Sequence, residues 1–286
     1  MEALRRICDI IMKPLRRNVN FFMFMYLLGC VCAWATLPDT RNARLYDNLY
    51  LELFIDLYLL CILLTVLPRK VMIWVRALLY AVFYAAAVVD VYCFVKFEST
   101  LTPTMLLLVG ETDSREAGEF IKSCVSPDIV FSPVGWVLLV ILSHLLCVLR
   151  LRFPHFIPRR QREFLKSLWL TAAHWVRKWA MAEAAVVVVL LVWAAVSSFH
   201  NKQATWKLMT GRTIGDVEHT LTEKDHAVLY APVYRLAFSI YANTLTAKQV
   251  QRLVATADKV HVDSCSFRSP TIVLIIGESY NRHHSQ

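Results

Sequence analysis

Residues 18–37 read NVNFFMFMYLLGCVCAWATL, twenty positions without an Asp, Glu, Lys or Arg. A helix rises about 1.5 Å per residue, so such a stretch covers the roughly 30 Å hydrocarbon core of a bilayer. Four further stretches meet the same test, at 49–67, 71–95, 129–149 and 180–199. The sequence therefore predicts an α-helical membrane protein with five transmembrane helices. Composition agrees, because only 19% of the 286 residues are charged, against about 25% in soluble domains. Ala33-Trp34-Ala35 resembles a signal-peptidase site, but the apolar run before it is long for a signal peptide, so it reads as a retained span.

The net charge of +9 would suggest a nucleic-acid partner in a soluble protein. Here most of the positive residues flank the apolar stretches. Fifteen Lys and Arg lie before the first span, between the second and third, and between the fourth and fifth; five lie in the two alternate loops. The excess marks the cytoplasmic side. It predicts a cytoplasmic amino terminus, a periplasmic segment from His200 onward in a bacterial inner membrane, and no nucleic-acid partner. Of the eight cysteines, Cys30, Cys32, Cys61, Cys93 and Cys147 sit inside apolar stretches, and no CxxC occurs. Zinc ribbons and redox motifs are unsupported. Cys124 and Cys265 both fall outside the spans on the periplasmic side, so a bridge between them is compatible with the topology.

Acids within spans are costly and mark either function or a partner on a neighbouring helix. Glu52 and Asp56, four residues apart, share one helix face near the outer end of the second span, and Asp90 stands near the outer end of the third. Glu183 and Arg76 lie toward the inner face, where Arg76 can snorkel to the headgroups. The loop at 101–127 contains MLLLV, too short to cross a bilayer, followed by Thr112 and Ser114, either suited to cap a helix beginning near Arg115. This predicts an element lying along the membrane surface, where headgroups are met.

The composition turns polar near residue 200, so a five-helix membrane domain is placed at 1–199 and a periplasmic helical linker at 200–269. Within the linker, 232–245 has helical periodicity, and 246–260 reads as a second helix capped by Thr246. Residues 270–286 open on Pro270, followed by the β-branched run Thr271–Ile276 and Gly277-Glu278-Ser279. A continuous apolar run of this kind predicts a strand buried on both faces of a parallel sheet. Glu278 would stand at its carboxyl end, where α/β sheets collect their chemistry, as a carboxylate suited to a divalent metal or as an ordinary loop acid.

Two motifs carry a resemblance. Glu111-Thr112-Asp113-Ser114-Arg115-Glu116-Ala117-Gly118-Glu119-Phe120 and Val273-Leu274-Ile275-Ile276-Gly277-Glu278-Ser279 with Arg282 are similar to segments of the membrane-bound phosphoethanolamine transferases of the alkaline-phosphatase/sulfatase-like superfamily. That family joins five transmembrane helices to a periplasmic α/β catalytic domain. The resemblance implies that Glu278 is an acidic ligand of a catalytic zinc, and that Thr112 and Glu116 hold the phosphatidylethanolamine headgroup. Some members have Asn four residues before that Thr, where this chain has Leu108.

The implied reaction has two steps. A metal-activated Thr attacks the donor phosphorus and releases diacylglycerol, and an acceptor on lipid A or an envelope glycan then takes the phosphoethanolamine. In the family the nucleophile and the remaining ligands follow the Gly-Glu-Ser strand, and here eight residues follow Glu278. The expectation is an incomplete catalytic domain with no nucleophile in these 286 residues, inactive by itself. His283 and His284 are adjacent and on extended backbone point to opposite sides, so they are not expected to ligate one metal. A related glycerol-phosphate transferase and a non-catalytic membrane protein are the alternatives.

Overall fold

The computed structural model describes residues 2–40, 42–111, 127–152, 159–257 and 259. Among these the regular elements are helical, with no strand. The order is α1 (Glu2–Arg17), α2 (Val19–Ala35), α3 (Leu49–Val66), α4 (Arg69–Phe97), α5 (Pro103–Glu111), a 3-10 turn (Pro127–Phe131), α6 (Pro133–Arg152), α7 (Arg159–Met209), α8 (Ile214–Thr222) and α9 (Pro232–Ala257). The run at 271–276, the cap residues Thr112 and Ser114, the site residues Thr112, Glu116 and Glu278, and Cys124 and Cys265 lie outside the described residues. The chain divides into one unit at Met1–Ala247 and a second at Lys248–Gln286.

In the first unit, Phe21, Met25, Leu28 and Cys32 recur at helical spacing along α2 and pack on Leu53, Leu57 and Leu64 of α3, Ala87 and Val91 of α4, and Val134, Val137 and Val140 of α6. A Cβ on Gly29 would stand 2.7 Å from Leu53 Cδ2, so the glycine leaves the space on α2 that the Leu53 side chain of α3 fills. The outward faces are apolar as well. Trp74, Leu78, Val189 and Val196 are each more than half exposed, which suits lipid rather than water.

Three helical stretches, Leu49–Val66, Arg69–Phe97 and Met181–Met209, are long and apolar enough to cross a membrane. Arg6–Arg17 and Val19–Ala35, bent by 66° at their junction, pass as a pair, and Pro133–Leu149 is apolar but shorter. The chain is thus a helical protein with three or four candidate spans among the described residues.

Two linker boundaries differ from the sequence reading. The polar shift near residue 200 does not end a helix: α7 runs through it to Met209, because His200–Lys207 contains no Gly or Pro and forms helix as readily as the apolar turns before it. Likewise α9 is one helix across Thr246, whose hydroxyl bonds back to the Ala242 carbonyl at 3.1 Å instead of capping a new start. A second cluster, Leu208, Val217, Ala227, Phe238, Ala242 and Leu245, joins the end of α7 to α8 and the first half of α9. Helix α8 begins with a capping box, in which Thr213 accepts from the Asp216 N–H and the Asp216 carboxylate accepts from the Thr213 N–H. In the second unit the described helix Lys248–Ala257 is exposed throughout.

Candidate functional site

The acids of α3 and α4 are the natural starting point. Glu52 and Asp90 are 1% and 0% exposed, a placement tolerable only with compensating donors. Those donors come from the end of α7, the segment before α9 and the first turn of α9. The Asn201 amide donates to Glu52 Oε1 at 3.0 Å, to Oε2 at 2.9 Å and to the Val228 carbonyl at 3.1 Å, two hydrogens serving three acceptors. Its own oxygen accepts from the Val228 N–H at 2.7 Å, which clips this strand of chain to α7. Lys202 Nζ reaches Glu52 Oε1 at 3.1 Å and Asp56 Oδ2 at 2.6 Å.

Asp56 Oδ2 also accepts from the hydroxyls of Tyr230 at 2.5 Å and Tyr234 at 2.7 Å, so three donors converge on a single oxygen. Tyr46 stacks on Tyr230 with ring centroids 6.0 Å apart, closing the cluster from the α2–α3 connection. Burial, then the charge of Asp56, pushes the Tyr234 hydroxyl up to about 12, with Lys202 acting against the shift. The same two causes push Tyr230 well above its ordinary range. Burial and a hydrogen bond to Glu52 push Tyr46 up to about 12. All three phenols therefore remain protonated donors at neutral pH.

Asp90 forms the second anchor. Arg235 Nε and Nη2 donate to its two oxygens at 2.8 and 2.5 Å, a fork matched to a carboxylate, and Nη1 donates to the Leu229 carbonyl at 2.8 Å. The Leu101 N–H adds a bond to Asp90 Oδ1 at 3.1 Å, after Glu98, in left-handed conformation at φ 52°, has ended α4. The two anchors fasten the segment that follows α7 to the ends of α3 and α4.

This cluster is a latch by its chemistry. All three carboxylates already face a cation, Glu52 and Asp56 sharing Lys202 and Asp90 holding Arg235, so they do not fit a zinc site, and among the described residues no group of three or more His, Cys, Asp or Glu could hold a metal. The zinc assignment rests on Glu278. The structure brings together Glu52, Asp56 and Asp90 with Asn201, Lys202, Tyr230, Tyr234 and Arg235, of which sequence reasoning singled out only the acids. The available signal was that three acids within apolar stretches require donors, and Lys202 is the first Lys or Arg beyond the last apolar stretch; nothing comparable marked Arg235, the fifth. Comparisons with protein-family models, with curated proteins and with solved structures each found no match.

Proposed function

We propose that the chain is the membrane-embedded and juxtamembrane part of a phosphoethanolamine transferase of the bacterial inner membrane. In this reading five spans place the amino terminus in the cytoplasm and the chain from residue 200 onward in the periplasm, ahead of an α/β catalytic domain that begins at residue 270. The carrying observation is the order of the two motifs, 111–120 after the third apolar stretch and 273–282 after the last. The spans are α2, α3, α4, α6 and the apolar part of α7. The seventeen residues Pro133–Leu149 reach about 25 Å, a mismatch that local thinning accommodates.

In this reading Thr112 and Glu116 receive the donor headgroup, the carboxylate suiting its ammonium. The latch holds the segment around residues 228–235 at a fixed place on the helix bundle. Activity is tested by expressing the complete reading frame in cells and analysing lipid A and envelope glycans by mass spectrometry. Phosphoethanolamine on either, with diacylglycerol released, is the expected result, lost in Glu278→Ala and reduced in Glu116→Gln. Glycerol phosphate in its place would identify the sister activity, and an unmodified envelope would refute the transferase reading. Orientation is tested separately with a membrane-impermeant maleimide. In a background with the other cysteines replaced by Ser, a single Lys224→Cys should label in intact spheroplasts and a single Cys8 only after lysis, and the reverse pattern would overturn the topology.

A further inference from the structure

We propose that the opposite end of the bundle, where α1 meets α2, seats the phosphate of an anionic phospholipid between Arg76 and Arg17. The node is Asn18, 2% exposed at the 66° bend. Its amide donates to the Pro14 and Cys61 carbonyls at 3.0 and 3.2 Å and to Thr65 Oγ1 at 3.0 Å, which satisfies carbonyls at the bend. Its oxygen accepts from Arg76 Nη2 at 2.7 Å. Arg17 Nη1 donates to the Thr65 carbonyl at 3.2 Å. Two guanidinium groups thus converge on a node made of one amide and one threonine.

Among the described residues no carboxylate lies within salt-bridge distance of Arg76 or Arg17, whereas Arg16 has Asp9 and Glu183, Lys202 has Asp56 and Arg235 has Asp90. The only other side-chain partner of Arg76 in the described residues is Met72 Sδ at 3.4 Å, and its Nε is buried with no acceptor. That Nε is enclosed by protein and out of reach of any ligand, but a half-buried guanidinium that no carboxylate faces among the described residues is suited to an anion supplied from outside the protein. Its position selects which one. Arg76 stands seven residues into α4, about 10 Å from its start, level with the start of α2 and the last turn of α3. From there the long Arg side chain can reach toward the headgroups, where a guanidinium meets phosphate oxygens and where basic pockets between spans take lipid headgroups. Arg69 and Lys70 in the first turn of α4 add positive charge to the same end.

The test compares lipid retention by native mass spectrometry and thermal stability of the purified chain with phosphatidylglycerol, phosphatidylcholine and inorganic phosphate. Phosphatidylglycerol should be retained and should stabilise more than phosphatidylcholine, while inorganic phosphate should not reproduce the increment. Arg76→Gln should weaken the phosphatidylglycerol-specific part about tenfold or more, and Lys13→Gln, an equal charge change on an exposed residue of α1, should leave it intact. Arg17→Gln, an exposed position, gives a milder loss and serves if Arg76→Gln does not fold. Equal effects of the two lipids, an undiminished increment in both arginine variants, or full stabilisation by inorganic phosphate would each overturn the lipid seat. None of these readouts depends on transferase activity.

Discussion

Replacing Asp90 is the sharpest probe of the latch. Its carboxylate is 0% exposed, the Arg235 side chain facing it is 12% exposed, and their two bonds measure 2.8 and 2.5 Å. At an effective dielectric near 20, unit charges at this separation attract by about 6 kcal/mol, most of it offsetting the desolvation of both groups. Removing one partner leaves the other buried and uncompensated, so Asp90→Leu and Arg235→Leu should each cost about 3–5 kcal/mol. Asp90→Asn keeps an acceptor for the Leu101 N–H and should fall toward the lower figure. The double variant Asp90→Leu/Arg235→Leu should cost less than the two singles added, by about 2 kcal/mol or more, because no orphan charge remains. Unfolding by SDS titration in mixed micelles, followed by tryptophan fluorescence, reads all four. Single variants within about 0.5 kcal/mol of the parent, or a double variant whose loss equals the sum, would refute the claim that this pair fastens α9 to α4.

Lys202→Met should destabilise more than Tyr230→Phe in the same titration, since the first strips the cation from Glu52 and Asp56 and the second removes one of three donors to Asp56, worth about 1–2 kcal/mol. Gly135→Ala should disrupt the junction of the 3-10 turn with α6, because an added Cβ would clash with the Val130 carbonyl oxygen, a backbone atom rather than the end of a flexible side chain; tolerated expression with unchanged unfolding would contradict it. Thr213→Ala should cost about 1 kcal/mol by uncapping α8. Hydrogen bonds from Thr213, side chain before backbone, hold the Asp216 carboxyl below its ordinary 3.8. That contribution is present above 3.8 and is lost as pH falls through the lower folded value, so Asp216→Asn should flatten the acid limb of the stability profile, and an unchanged limb would exclude the box.

The apolar stretches were legible from sequence because spanning a bilayer is a local requirement of length and side-chain type, met residue by residue. Each of the five stretches is helical among the described residues, and the stripe Phe21, Met25, Leu28, Cys32 follows from period alone. Helix ends were less legible, since α7 crosses a composition change that no Gly or Pro punctuates and α9 passes through a threonine equally able to cap or to bond backward. Glu52, Asp56 and Asp90 stood out as acids in costly places, yet nothing local names their donors. Lys202 is 146 residues from Asp56 along the chain, and Arg235 is 145 from Asp90. Partnership across such distances is set by which helix ends the packing brings side by side. The converse holds at Asn18 and Arg76, where sequence shows a cation inside an apolar stretch and only the packing reveals that, among the described residues, no acid faces it. The sequence by itself determined which stretches are apolar and long enough to be candidate spans, a local property of side chains; the tertiary structure decided which buried charges are answered by partners from distant segments, because only packing brings those helix ends together.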